Sequence, residues 1–143
     1  MSILRSFPLL AIPVAIYNAL ALGTGGFGTS SSVVASSLKS PVSQIPMSAS
    51  GGVWQLQTSD VILVVALAAF FFGVIASARS ANDVLLKHVL NMFLFILCLV
   101  EFLLLRSFAT STFFLITAMV LMETVAGFII TSVSARKDIE MAH

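Results

Sequence analysis

The sequence predicts an all-α membrane protein: a bundle of four transmembrane helices, both termini cytoplasmic, with a small extracytoplasmic loop. Three observations predict it. The chain of 143 residues is 59% hydrophobic and only 9% charged, where an average soluble domain carries roughly 25% charged residues. Four apolar segments recur along it, at about 7–23, 60–78, 84–105 and 110–133. A helix needs roughly 20 residues to cross the hydrocarbon core of a bilayer. The seven Lys and Arg residues are also unevenly divided. With the amino terminus inside, Arg5, Arg79, Lys87, Arg136 and Lys137 are cytoplasmic and only Lys39 and Arg106 are not, as the positive-inside rule prefers.

The first segment, "FPLLAIPVAIYNALALG", is the least regular. It holds Pro8, Pro13 and Asn18, and Pro13 is expected to kink it. Arg5, the apolar core and the small-residue end "ALALG" also fit a secretory signal peptide; the expectation is a retained helix. The second segment, "VILVVALAAFFFGVIASA", is nearly unbroken. The short links "RSAND" and "RSFA" force the later helices to run antiparallel to their sequence neighbours. Asp83 is placed to cap the third helix, and Thr110, Ser111 and Thr112 offer caps for the fourth.

Between the first two helices lies the loop 24–59, long, rich in Ser and Gly and almost uncharged. Its first half reads as irregular. Its second half places "SQIPM" and "VWQLQ" around "SASGG", the pattern of a short β-hairpin. Trp54 is expected at the membrane surface, where indoles settle. The tail "SARKDIEMAH" reads as a charged topology anchor.

Polar residues inside the apolar segments are the candidate functional groups. On the third helix Val84, Lys87, Asn91, Leu94, Cys98, Glu101 and Leu105 follow an alternating three-and-four spacing, one seam of a packed helix. On the fourth, Thr110, Thr117, Thr124 and Thr131 recur every seven residues with Gly127 beside them. Small and hydroxylated residues so spaced let membrane helices approach closely. Reflection about a turn near Ser107 and Phe108 sets Glu123 beside Asn91 and about one turn from His88. Glu123, Asn91 and His88 are therefore expected as an intramembrane polar cluster. Its plain role is a bundle-interior carboxyl; its sharper role is handling of protons or cations. Glu101 reflects onto Phe114, nearer the outer surface. There it either reaches the headgroups, pairs with Arg106, or, with Arg106 and Trp54, meets a partner subunit.

Other chemistries are excluded or unsupported. A net charge of +1 supplies no basic field for nucleic acid. One cysteine rules out an intrachain disulfide and any Cys-based metal site. No glycine-rich phosphate loop or His/Glu metal motif occurs. No triad assembles from His88 and His143. No catalytic residue, cofactor or metal is expected.

The stretches "IPMSASGGVWQLQTSD", "HVLNMFLFILCLVEFLLL" and "FATSTFFLITAMVLMETVAGFIITSVSARKD" together resemble a group of small four-helix inner-membrane proteins of Gram-negative bacteria. The likeness spans roughly residues 44–138. It implies a topology and a multi-pass location in the bacterial inner membrane, and carries over no catalytic or binding residue. The expected function is a non-enzymatic accessory or interaction protein within a larger membrane complex, in contact with the lipid bilayer and with other membrane subunits or its own copies. The alternatives are a small oligomeric proton or ion translocator working through Glu123 and Glu101, and a lipid- or quinone-binding protein.

Overall fold

The computed structural model describes residues 6–79 and 84–142. Arg5, Asp83 and His143, which the sequence assigns to a flank, a cap and a tail, lie outside the described residues. Within them, helix α1 spans Ala11–Gly23 and α2 Ser31–Leu38. Strands β1, Pro41–Pro46, and β2, Val53–Gln57, follow. Then come α3, Thr58–Arg79, α4, Val84–Leu104, a 3-10 turn at Arg106–Phe108, and α5, Ser111–Met141.

Among the described residues three helices are long and apolar enough to cross a membrane, α3, α4 and α5, and the expected fourth span is not among them. The expected first span over 7–23 shrinks to 13 residues, about 20 Å of helix against a hydrocarbon core of roughly 30 Å. Prolines set where it starts. Pro13 is the third residue of α1, inside the first turn, where its missing N–H leaves no bond unmade. It opens the helix instead of kinking it. The carboxyl end closes by glycine. The N–H of Gly26 bonds the carbonyl of Ala21 at 3.0 Å and that of Gly25 reaches Leu22 at 3.4 Å, a Schellman closure. Gly25 takes φ 125, a conformation that a side chain disfavours.

The loop after α1 is more ordered than its composition suggests. The expected irregular half contains α2. Ser30 caps it, its side chain accepting the N–H of Ser32 at 3.3 Å. Val34 and Leu38, four apart, are buried, so one short apolar stripe holds the helix down. The β-hairpin of the second half is present: Ile45 pairs with Trp54 and Pro46 with Val53, with an irregularity near Val42. Gly51, at φ 71, turns the loop.

The connections fix the directions. The hairpin, the start of α3, the end of α4 and the start of α5 share one end of the bundle. α3 and α5 therefore run parallel, and α4 runs against both. α5 packs against α3 on one side and α4 on the other, while α1 lies on α3 and α5. α5 contributes 31 residues, about 46 Å, and continues past the expected end at residue 133. Residues 133–142 are exposed, a charged helical stalk beyond the apolar section. α3 opens with one half of a capping box: Asp60 accepts the N–H of Gln57 at 2.9 Å. Thr110 caps α5 through the N–H of Phe113 at 3.3 Å.

The interior is built from seams. On α3 Ile62, Ala66, Ala69, Gly73 and Ser77 are buried, and on α4 Lys87, Asn91, Leu94, Cys98 and Glu101, the three-and-four spacing read from the sequence. The outward faces are as apolar as the inside. Val64, Phe72, Phe93, Leu103 and Phe128 are each more than half exposed, which fits lipid as the solvent and not water.

A rivet closes the hairpin end. The hydroxyl of Tyr17, fully buried, donates to the carbonyl of Ser107 at 3.0 Å and meets the hydroxyl of Thr110 at 2.5 Å. Ser107 in turn donates to the carbonyl of Gly26 at 2.7 Å. The rings of Tyr17, Phe108 and Phe113 stack mutually within 4.8–5.4 Å. α1 is short, yet it is held at this end through aromatic area and hydrogen bonds together.

Candidate functional site: a buried polar cluster between three helices

Glu123 lies on α5, twelve residues below Ser111, or about 18 Å along the axis. It is 1% exposed. At this level α3 presents Gly73 and α4 presents Lys87, His88 and Asn91. The Nζ of Lys87 stands 3.7 Å from Oε1 of Glu123 and donates to the carbonyl of Gly73 at 2.5 Å. Ser77 donates to the same carbonyl at 3.0 Å. One lysine thus joins α4 to α3 and α5 at once, across a gap that the α3 and α4 backbones do not close.

Gly73 makes room for the carboxylate. A Cβ built there would sit 2.5 Å from Oε1, 2.8 Å from Cδ and 3.0 Å from Oε2 of Glu123, well inside van der Waals contact. Gly127 does a milder service for His88, whose Nδ1 would lie 3.4 Å from a Cβ at that position. The His88 ring also approaches Phe128, centroids 6.2 Å apart. Asn91 is 2% exposed and its amide bears on the Glu123 carboxyl, but no well-formed hydrogen bond joins them.

The cluster is rich in acceptors. Nδ1 of His88, Oδ1 of Asn91 and both carboxyl oxygens of Glu123 are buried without a hydrogen-bond partner among the described residues. Each such group costs about 1–3 kcal/mol when it is left unmatched. The Lys87 ammonium offsets part of this by charge. A proton on Glu123 would turn one acceptor into a donor aimed at the rest. The site is chemically able to hold a neutral acid or an ion pair. No group of three or more His, Cys, Asp or Glu suited to a metal occurs among the described residues.

The remaining sequence candidates lie elsewhere. Glu101 is near the hairpin end, 9% exposed, and accepts from the Asn18 amide at 3.4 Å. It faces α1, and the ion pair found among the described residues is Lys87 with Glu123, not Glu101 with Arg106. Arg106 is exposed in the 3-10 turn. Trp54 is half exposed on β2 and overhangs a groove between α3 and α5. Depth reflection did not single out Lys87 or Gly73. Lys87 was legible as a seam position. Gly73, a lone glycine in "FFFGVI", carried the usual mark of close approach in a membrane helix.

Fold and site together define a multi-helix bundle with apolar outer faces and a buried charged pair, compatible with a membrane location. No family model matches the sequence, and neither a curated protein nor a solved structure shows significant similarity to it.

Proposed function

We propose that this chain is a non-enzymatic, multi-pass protein of a bacterial inner membrane that binds and stabilises another membrane-protein subunit. The observation that carries the proposal is the hairpin. Strands β1 and β2 contain no charged residue and touch the bundle chiefly through β2, with Val42, Met47, Val53 and Trp54 each about half exposed. A two-stranded hairpin is marginal alone, and so uncharged a surface gains by burial against a partner. Glu123 supports the same reading, because its carboxylate is wedged against Gly73 and tied to Lys87, an arrangement suited to holding helices together. The orientation proposed, the carboxyl terminus cytoplasmic and the hairpin outside, rests on the distribution of Lys and Arg; a cytoplasmic amino terminus requires residues 7–23 to cross as well.

Gentle purification of the full chain from its own membrane, followed by mass spectrometry, tests the proposal. The expected result is a larger membrane subunit retained at fixed stoichiometry, and its loss when Val42 and Val53 are both changed to Ser. The bundle should keep its thermal stability in that variant. Proton or cation flux carried by the purified chain alone in liposomes, with no partner retained, would refute it in favour of a translocator.

A further inference from the structure

The end of the bundle that carries the hairpin also holds a polar pocket directly above an apolar groove. The pocket, about 320 Å³, is lined by Lys39, Gln57, Ser59, Ser111 and Thr112 among others. It lies at the amino end of α5. That helix has no acidic residue in its first turn, whereas α3 beside it has Asp60 to balance its own. The N–H groups of Ser111 and Thr112 find no acceptor among the described residues, since Thr110 caps Phe113 instead. Thr112 is 8% exposed and lines the pocket, and its hydroxyl makes no hydrogen bond among the described residues. The hydroxyls of Ser59 and Ser111 likewise make no hydrogen bond among the described residues. Lys39 is exposed and makes no ion pair among the described residues. A lysine, three hydroxyl-bearing residues and the two unmatched N–H groups at the start of a long helix converge where an anion would be favoured.

Below the pocket, on the same faces, the lining changes character. Ser59 leads to Leu63 and Leu67 at four-residue steps on α3, and Ser111 leads to Leu115 and Met119 on α5. These residues, with Val64 and the overhanging Trp54, line a groove of about 310 Å³. Asp60 borders its upper edge, with Oδ2 engaged by the Gln57 N–H. The groove opens to the outside: Val64 is 64% and Leu67 57% exposed. An anion site one turn above an alkyl-lined groove, on helices long enough to span a bilayer, matches one amphiphile. We propose that this end of the bundle binds a single phospholipid. Its phosphate sits against Lys39, Thr112 and the amino end of α5, and one acyl chain lies between α3 and α5 under Trp54.

The test uses the full chain in mild detergent, with native mass spectrometry to count bound lipid. Three probes are titrated: phosphatidylglycerol, diacylglycerol with the same acyl chains, and inorganic phosphate. The expected result is one phosphatidylglycerol per chain, with diacylglycerol at least roughly tenfold weaker for want of the charged contacts. Inorganic phosphate should be weaker still. Lys39→Gln and Thr112→Val should each weaken phosphatidylglycerol several-fold and leave the melting temperature unchanged, because neither side chain makes a hydrogen bond or ion pair among the described residues. Val64→Trp, which fills the groove, should weaken the lipid and spare phosphate. Equal binding of phosphatidylglycerol and diacylglycerol would overturn the phosphate site. Phosphate binding as tight as lipid would overturn the acyl groove. Binding unchanged in all three variants would overturn the placement.

Discussion

Replacing Gly73 by alanine puts a methyl group where the Glu123 carboxylate already is. The three shortest approaches, 2.5, 2.8 and 3.0 Å, all fall on that one group. The backbone of α3 is held by its helix bonds, so the side chain has to give. It cannot swing away freely: Glu123 is 1% exposed, and moving it separates it from Lys87, now 3.7 Å away. Overpacking alone costs about 1–3 kcal/mol. Removing the partner of a buried charge costs about 3–5 kcal/mol at most, and a 3.7 Å pair that yields only partly loses a fraction of that. A destabilisation of about 2 kcal/mol is therefore expected for Gly73→Ala. The mechanism is separable from a general glycine effect, because alanine is the better helix former and would otherwise help by about 1 kcal/mol. The assay is reversible unfolding in mixed micelles, followed by circular dichroism, as a double-mutant cycle with Glu123→Ala. Glu123→Ala alone should be strongly destabilising. In that background Gly73→Ala should be neutral or slightly stabilising, giving a coupling energy of at least about 1 kcal/mol. A wild-type background indifferent to Gly73→Ala, or equal losses in both backgrounds, would show that the carboxylate does not occupy that space.

The same pair makes a second prediction: Lys87→Met and Glu123→Leu together should be less destabilising than either alone, since the double change removes both buried charges while each single change strands one. Unfolding midpoints of the three variants check it. Tyr17→Phe keeps the ring stack and removes the contacts to Ser107 and Thr110, so a loss of about 1 kcal/mol is expected, with the hairpin end becoming the first region to exchange its amides. Cys98, fully buried in the α4 seam, should resist a polar maleimide in the folded bundle and react on unfolding; rapid labelling of the native protein would contradict the packing of α4. Reporter fusions after His143 and within residues 30–40 should report opposite sides of the membrane.

Composition and period by themselves determined that this chain forms apolar helices and which faces of them meet. A deficit of charge is a statement about solvent and needs no contacts to read. The three-and-four spacing from Lys87 to Glu101 marked the buried seam of α4, because helical geometry alone puts those residues on one line. The turn residues around Gly51 marked the hairpin, since backbone conformation there is a local matter. The short "RSFA" link placed Glu123 at the level of Asn91. Local signals were weaker where competing rules met. Pro13 reads as a kink inside a long segment but as a harmless opening residue in a shorter helix, and only the observed start at Ala11 decides between them. Ser30 and the Val34–Leu38 stripe were present in the sequence, yet serine and β-branched residues favour a helix too little for α2 to stand out without the surface that buries it. The partner of Glu123 was beyond sequence. Lys87 sits near a helix end, where a lysine ordinarily reaches for the headgroups; its turn inward depends on α5 lying between α3 and α4 and on Gly73 giving way to the carboxylate. Such pairings join residues 14, 36 and 50 positions apart on three helices, and no periodicity encodes which helix stands between the other two.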